Sequence, residues 1–352
     1  MIARVVLVIF GALLGLTAAE VYLRSRYGPE AFIASTQGDE GFVEHPFLPY
    51  IGKPLKKRVV DVAETHTQMV VENNSDGFRT REFPGEKRKN DFFIVCLGGS
   101  TTWGEGSESH QTAWPGLLEK MLAERFPAKN VEVFSLGQPM ADTAYNIVSL
   151  ALLGLRIHPD LVIDYEGWND LEPTIGWSYR TDDAHYYSDF DADSVGVVQR
   201  FLPPWMLSIR VVALATFRIE DWFGNNQLKS YVVKRTMKWP NMRLGAQRTL
   251  DNFTTIRSIA EGQGAKAVFS TFQYFEGANF GTIPLVDASW SRNDTFRDFF
   301  DANGFSYVDQ DRLIPDGDRT VQYDQGHFTA KGETMMAQNF FDYVVAHKLI
   351  AD

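Results

Sequence analysis

The sequence predicts a three-layer α/β/α fold built on a five-stranded, mostly parallel sheet. Three observations predict it. From Phe92 to the carboxyl terminus, short apolar runs alternate with longer stretches of helical period. That alternation gives parallel strands with helices on both faces. The first such run, Phe92-Phe93-Ile94-Val95-Cys96-Leu97, stops abruptly at Gly98-Gly99-Ser100. It presents a hydroxyl at the carboxyl end of a strand, where open parallel sheets bind ligands. At 352 residues, 44% hydrophobic and 22% charged, the chain can form one large domain with additions, or two domains.

The elements follow in order. Residues 92–97 are the first core strand. Trp114-Pro115 opens a helix reaching about Phe126, with leucines and Met121 on one stripe and proline in its first turn. Residues 131–135 form a second strand, 141–156 a second helix, and 161–165, after Pro159-Asp160, a third strand. A helix at 249–263 leads through Gly264 to a strand at 267–272. A helix at 293–302 leads through Asn303-Gly304 to a short strand at 306–308, and the last helix spans 330–347. No internal repeat or low-complexity tract interrupts the pattern.

Ahead of this core, residues 27–91 read as an extended lead-in that packs on the domain, with a hairpin around residues 59–71. Lys56-Lys57-Arg58 within it reads as a solvated turn. Two insertions break the rhythm. Residues 171–244 are long and aromatic, with Trp177, Trp205, Trp222 and Trp239, and residues 202–223 suit an amphipathic helix pair serving as a cap packed on the core, a substrate lid or a membrane-surface contact. Residues 275–292 are shorter. The expected division is therefore 1–26, 27–91, and 92–352 with its insertion.

Residues 1–26 contain an apolar run from Val5 to Ala19 broken only by Thr17. It is about fifteen residues long, against the roughly twenty that a spanning helix needs. Val21 to Leu23 extend it past Glu20, and Thr17-Ala18-Ala19 offers a small-residue cleavage site. The segment reads as a membrane anchor or a signal peptide, with a buried soluble helix as the third reading. Either of the first two puts the bulk of the chain outside the cytoplasm.

A net charge of −11 argues against a nucleic-acid partner, because phosphate binding needs a basic surface. The single cysteine, Cys96, lies inside an apolar strand and reads as a buried, inert thiol. The histidines other than His327 (His45, His66, His110, His158, His185 and His347) show no metal-ligand spacing, and no phosphate or dinucleotide loop is present. No cofactor or metal is expected.

A serine hydroxyl is a weak nucleophile at neutral pH. It needs a base within hydrogen-bond reach, and the base needs an orienting partner. His327, just before the last helix, is the candidate base for Ser100, and Asp324, three residues earlier, is its partner. Gly167-Trp168-Asn169-Asp170 directly follows the third strand. Asn169 there can give a side-chain N–H to an oxyanion, while Asp170 caps or braces the loop.

These blocks resemble those of the SGNH (GDSL-like) hydrolase family. Gly98-Gly99-Ser100-Thr101-Thr102 is similar to its nucleophile block, and Gly167-Trp168-Asn169-Asp170 to its Gly-x-Asn-Asp block. The segment from Asp324-Gln325-Gly326-His327 through Gly332 is similar to its terminal Asp-x-x-His block. The resemblance spans residues 92–347. The Gly-x-Ser-x-Gly elbow of α/β-hydrolases is absent around Ser100. One block departs. Met140 occupies the position where the family has a glycine whose N–H joins the oxyanion hole. That role needs only a backbone N–H, which Met140 supplies if its turn keeps φ negative.

The resemblance implies a serine esterase working through an acyl-enzyme on Ser100, with His327 and Asp324 completing the triad. The oxyanion would be held by Asn169 and the N–H groups of Ser100 and Met140. The expected substrate is a small-molecule or carbohydrate ester. The same resemblance implies an alternative, a cell-envelope polysaccharide O-acetyltransferase with an envelope polysaccharide-modification partner. The departure at Met140 suggests a third, a non-catalytic binding or assembly module.

Overall fold

The computed structural model describes residues 2–26, 41–43, 45–62, 67–171, 211–212, 242–274, 285–324 and 326–351. The expected cap or lid between 171 and 244 therefore lies almost wholly outside the described residues, as do His66, His185 and Gln325. The chain divides into two compact units. One comprises residues 1–40 and 176–238. Its described part is a helix, α1 (Ile2–Arg26), whose Glu20 side chain accepts a hydrogen bond from the N–H of Val211 at 3.0 Å. Among the described residues no helix is long and apolar enough to cross a membrane.

The other unit, residues 41–175 and 239–352, holds the core. It begins with two antiparallel pairs. Strands β1 (Phe42–Val43) and β2 (Ile51–Gly52) form one, and β3 (Lys57–Val62) and β4 (Thr67–Glu72) form the other. The second is the hairpin expected near residues 59–71. Its inward residues Val62, Met69 and Val71 bury against Trp103, a residue of the core domain.

Five parallel strands follow: β5 (Asp91–Gly98), β6 (Asn130–Ser135), β7 (Leu161–Tyr165), β8 (Lys266–Ser270) and β9 (Tyr307–Val308). Their order is β6-β5-β7-β8-β9. The chain winds outward from β5 in one direction through β6 and then in the other through β7. The crevice beyond β5 and β7 is thus the switch point at which such sheets bind ligands. Ser100 follows β5 and Asn169 follows β7, so the two reach the same crevice from adjacent strands.

Strand alternation sends residues of β5 to opposite layers. Ile94 and Cys96 join a core with helices α3 (Trp114–Arg125) and α8 (Ala330–Ala346), where Trp114 stacks on Phe340 at 4.8 Å. Between α3 and α8 in chain order come α4 (Thr143–Leu152), α5 (Met242–Gly262), α6 (Leu285–Ala302) and the short α7 (Gln310–Leu313). On the opposite layer Phe253 of α5 packs against Phe269 of β8 and against Phe296 and Phe300 of α6, with centroids 5.2–5.4 Å apart. Each fully buried phenylalanine contributes about 2–3 kcal/mol. Cys96 is completely buried, as its place in the strand predicts, and burial pushes its thiol well above the ordinary range.

Candidate active site

Strand β5 ends where side chains no longer fit. A Cβ on Gly98, whose φ is 152°, would overlap Thr102 Oγ1 and the carbonyl of Tyr165. A Cβ on Gly99 would overlap Asn169 Nδ2 and lie 2.8 Å from Glu166 Oε2. The chain then turns at once into α2 (Ser100–Trp103), a single helical turn closed by Gly104 in the left-handed region. The two glycines let the β5 backbone press against the loop after β7 and leave Ser100 half-buried at the crevice.

Ser100 Oγ lies 2.7 Å from His327 Nε2, and His327 Nδ1 lies 2.6 Å from Asp324 Oδ2. An ionised carboxylate only accepts, so Nδ1 carries the proton and Nε2 is the lone-pair side facing the serine. The second oxygen of Asp324 accepts from the N–H groups of Gly326 (3.0 Å) and His327 (2.8 Å). Burial works against the charge on Asp324. The hydrogen bond and charge of His327, with those two N–H groups, outweigh it and hold the carboxyl below its usual range.

The loop carrying this pair is tied at its base. Tyr323 N donates to the His327 carbonyl, and Thr329 N to the Val321 carbonyl. Thr329 Oγ1 then caps α8 by accepting from Gly332 N. The Tyr323 ring stacks on the imidazole, with centroids 5.9 Å apart.

Asn169 is buried, and its Nδ2 donates to the Ala141 carbonyl at 2.7 Å. An amide nitrogen carries two hydrogens, and the second is only weakly engaged, by Glu166 Oε2 at 3.4 Å. Asp170 braces its loop against the start of α4, its Oδ2 accepting from the Thr143 N–H at 3.3 Å. Its Oδ1 accepts from the Thr143 and Thr249 hydroxyls, tying the start of α4 to α5.

Met140 corrects the sequence reading. Its φ is 65°, in the left-handed region, so the turn does not keep φ negative. The backbone adopts the conformation that a glycine takes freely, and methionine occupies it at a cost of about 1–2 kcal/mol. The residue still offers its N–H. Neither that group nor the Ser100 N–H finds a partner among the described residues. Ser100, His327, Asp324 and Asn169 are thus brought to one crevice, and Met140 lies in the segment leading into α4.

Two residues here escape sequence reasoning. Glu166, at the end of β7, is buried, and its Oε1 accepts from the N–H groups of Gly167 (2.8 Å) and Asn169 (3.0 Å). Arg79, in the lead-in, is buried against α2. It donates to the carbonyls of Trp103 (3.1 Å), Gly104 (2.6 Å), Ser107 (2.8 Å) and Val70 (3.0 Å). The only signal for Glu166 is a carboxylate set directly before a Gly-x-Asn-Asp block. Arg79 has none, because its partners are backbone carbonyls. Among the described residues no group of His, Cys, Asp and Glu is arranged to hold a metal ion.

Solved structures of similar architecture include a GDSL-like lipase from Bacteroides thetaiotaomicron VPI-5482, 12% identical, with 75% of this chain and 93% of that one covered and a TM-score of 0.43. A lipase/acylhydrolase from Enterococcus faecalis is 14% identical over 73% and 96%, with a TM-score of 0.44. An acetyl xylan esterase is 11% identical over 72% and 100%, with a TM-score of 0.45. No curated protein matches by sequence. A family model, the GDSL-like Lipase/Acylhydrolase family, matches residues 96–335. That span takes in Ser100, the Asn169 loop and the Asp324–His327 pair, and the chain belongs to the GDSL-like lipase/acylhydrolase family.

Proposed function

We propose that this protein is a serine esterase that works through an acyl-enzyme and acts on O-acylated carbohydrate. The relay from Ser100 Oγ through His327 to Asp324, at 2.7 and 2.6 Å, carries the reading. His327 Nε2 takes the Ser100 proton as Oγ attacks the ester carbonyl carbon. Negative charge moves to the carbonyl oxygen, where the weakly held Asn169 N–H and the N–H groups of Ser100 and Met140 can receive it. The tetrahedral adduct collapses, the ester C–O bond breaks, and His327 returns the proton to the leaving alcohol. Water, deprotonated by His327, then attacks the acyl-enzyme and releases the acid.

Beside Tyr323 lies a cavity of about 480 Å³ that none of Ser100, His327 or Asn169 lines. It is lined by Thr67, Ser107, Glu108, Thr112, Tyr323 and Thr329, among others. A sugar ring needs hydroxyl and carboxylate partners beside an aromatic platform, and Tyr323 links this cavity to the imidazole on which it stacks. The apolar run from Val5 to Ala19 further supports action outside the cytoplasm. Protease access to the carboxyl terminus in intact against opened cells tests that placement.

The catalytic test is hydrolysis of p-nitrophenyl acetate. Ser100→Ala is expected to lower kcat by at least about 10³-fold, and a serine-directed phosphonate to label Ser100 in the unaltered protein. Hydrolysis that survives Ser100→Ala removes Ser100 as the nucleophile, and no hydrolysis by the unaltered protein together with no labelling rejects the reading in favour of a binding module. With an acetyl donor and a sugar acceptor, release of free acetate supports the esterase; accumulation of acetylated sugar instead makes the protein an O-acetyltransferase.

A further inference from the structure

We infer that Tyr50, in the lead-in, is a positioning residue whose hydroxyl holds the Met140 N–H in the direction of the oxyanion. The inference rests on the serine-esterase reading and deepens it. Residues 138–141 form a single β-turn, closed by the Ala141 N–H on the Gln138 carbonyl at 3.1 Å. Proline at its second position and the φ of 65° at its third make it a type II turn. Both ends are fixed to the crevice. Gln138 N donates to the Gly98 carbonyl at 3.2 Å, and the Ala141 carbonyl accepts from Asn169 Nδ2 at 2.7 Å. The turn therefore abuts the end of the nucleophile strand and the Asn169 loop.

The middle peptide, between Pro139 and Met140, decides what the turn can do. Types I and II differ by a flip of that peptide, which reverses its carbonyl and its N–H together. A residue with a Cβ prefers type I, where φ at the third position is negative. Met140 is such a residue, and its own preference is to flip the peptide and turn its N–H away. Tyr50 opposes the flip. Its hydroxyl donates to the Pro139 carbonyl. The carbonyl and N–H of a trans peptide point in opposite directions, so a carbonyl held on Tyr50 fixes the Met140 N–H on the side away from Tyr50.

Tyr50 is itself fixed. It is buried, and its ring lies edge-on to Phe42 and tilted against Tyr145, with centroids 5.7 and 5.8 Å away. Its carbonyl accepts from the Tyr145 hydroxyl at 2.9 Å. Tyr145 belongs to α4, the helix into which the turn leads. Phenylalanine at position 50 keeps both ring contacts and this backbone bond and loses only the donor to Pro139.

The experiment measures kcat and KM for p-nitrophenyl acetate with the full chain, Tyr50→Phe, Met140→Gly and the double variant, with melting temperatures read alongside. Tyr50→Phe is expected to lower kcat about tenfold with KM within about twofold, because only molecules holding the type II turn present the donor. Glycine takes positive φ freely and keeps the type II turn without Tyr50. The double variant is therefore expected to keep kcat within about twofold of Met140→Gly. A hydroxyl that merely supported the fold would cost the same in both backgrounds, and equal losses overturn the inference. So does Tyr50→Phe with kcat within about threefold of wild type. Should Tyr50→Phe not fold, the double variant decides: folded and as fast as Met140→Gly, it supports the inference; unfolded or tenfold slower, it overturns it. Ser100→Ala, run alongside, separates the two levels: activity that survives it, or that the unaltered protein lacks, overturns the esterase reading and this inference together.

Discussion

Met140 shows how a single residue can depart from a family pattern while its backbone keeps to it. The turn has the φ of 65° that glycine would adopt, and the methionine side chain is carried along. Glycine there would remove about 1–2 kcal/mol of strain and add about 0.5–1 kcal/mol of unfolded-chain entropy. Met140→Gly is therefore expected to be neutral to slightly stabilising and to keep kcat within about threefold. Met140→Val places a β-branch in the left-handed region and is expected to cost at least about 1 kcal/mol. Thermal melting of the two variants decides it; a valine variant as stable as the glycine one removes the strain argument. At this scale the triad was legible because each member sits at a punctuation point. Ser100 ends a strand, His327 precedes a helix, and Asp324 is one turn of chain away. Glu166 was not legible, because its partners are two backbone N–H groups and an amide that only folding brings to it.

The lead-in hairpin acts as an element of the site through Arg79. Its guanidinium gathers carbonyls from β4, from the end of α2 and from the turn beyond it, and it lies 5.0 Å over the Trp103 ring. Burial pushes it down to about 10, so it stays charged at neutral pH. A lysine is a point donor and cannot span this set. Arg79→Lys is expected to destabilise by about 2–4 kcal/mol in urea unfolding and to lower kcat at least about tenfold, since the turn holding Ser100 loses its brace. Unchanged stability would mean that the carbonyls are satisfied without it. The core elements themselves were readable from apolar runs and helical period, because the sheet is buried on both faces. Element starts were read less well. Helices α5 and α6 begin at Met242 and Leu285, where the sequence suggested 249 and 293. Asn241 and Pro284 directly precede these starts in the sequence, but both helices emerge from insertions whose composition follows no period, which hides such local signals.

Across the whole molecule, the distribution of buried carboxyls sets how stability follows pH. Asp164, Glu166 and Glu333 lie in the interior, and burial is the largest cause raising each of them. Glu333, at the start of α8, accepts from Trp114 N at the start of α3 and is pushed up to about 8. In the unfolded chain these groups release their protons in the ordinary carboxylate range, whereas Glu333 in the folded protein holds its proton to about 8. Folding thus takes up protons between those values. Stability is fully present below the unfolded value and declines as pH rises toward 8, by about 1.4 kcal/mol per pH unit for each proton taken up. Asp324 has the opposite sign: its folded value is depressed, so its contribution is lost as pH falls below the ordinary carboxylate range. The melting temperature is therefore expected to peak in mildly acidic buffer and to fall between pH 5 and pH 8. Glu333→Gln keeps an acceptor for Trp114 N and has no proton to lose, so it should flatten that fall. A wild-type melting temperature that rises from pH 5 to pH 8, or a glutamine variant with the same slope, would show that the α3–α8 layer buries no protonated carboxyl.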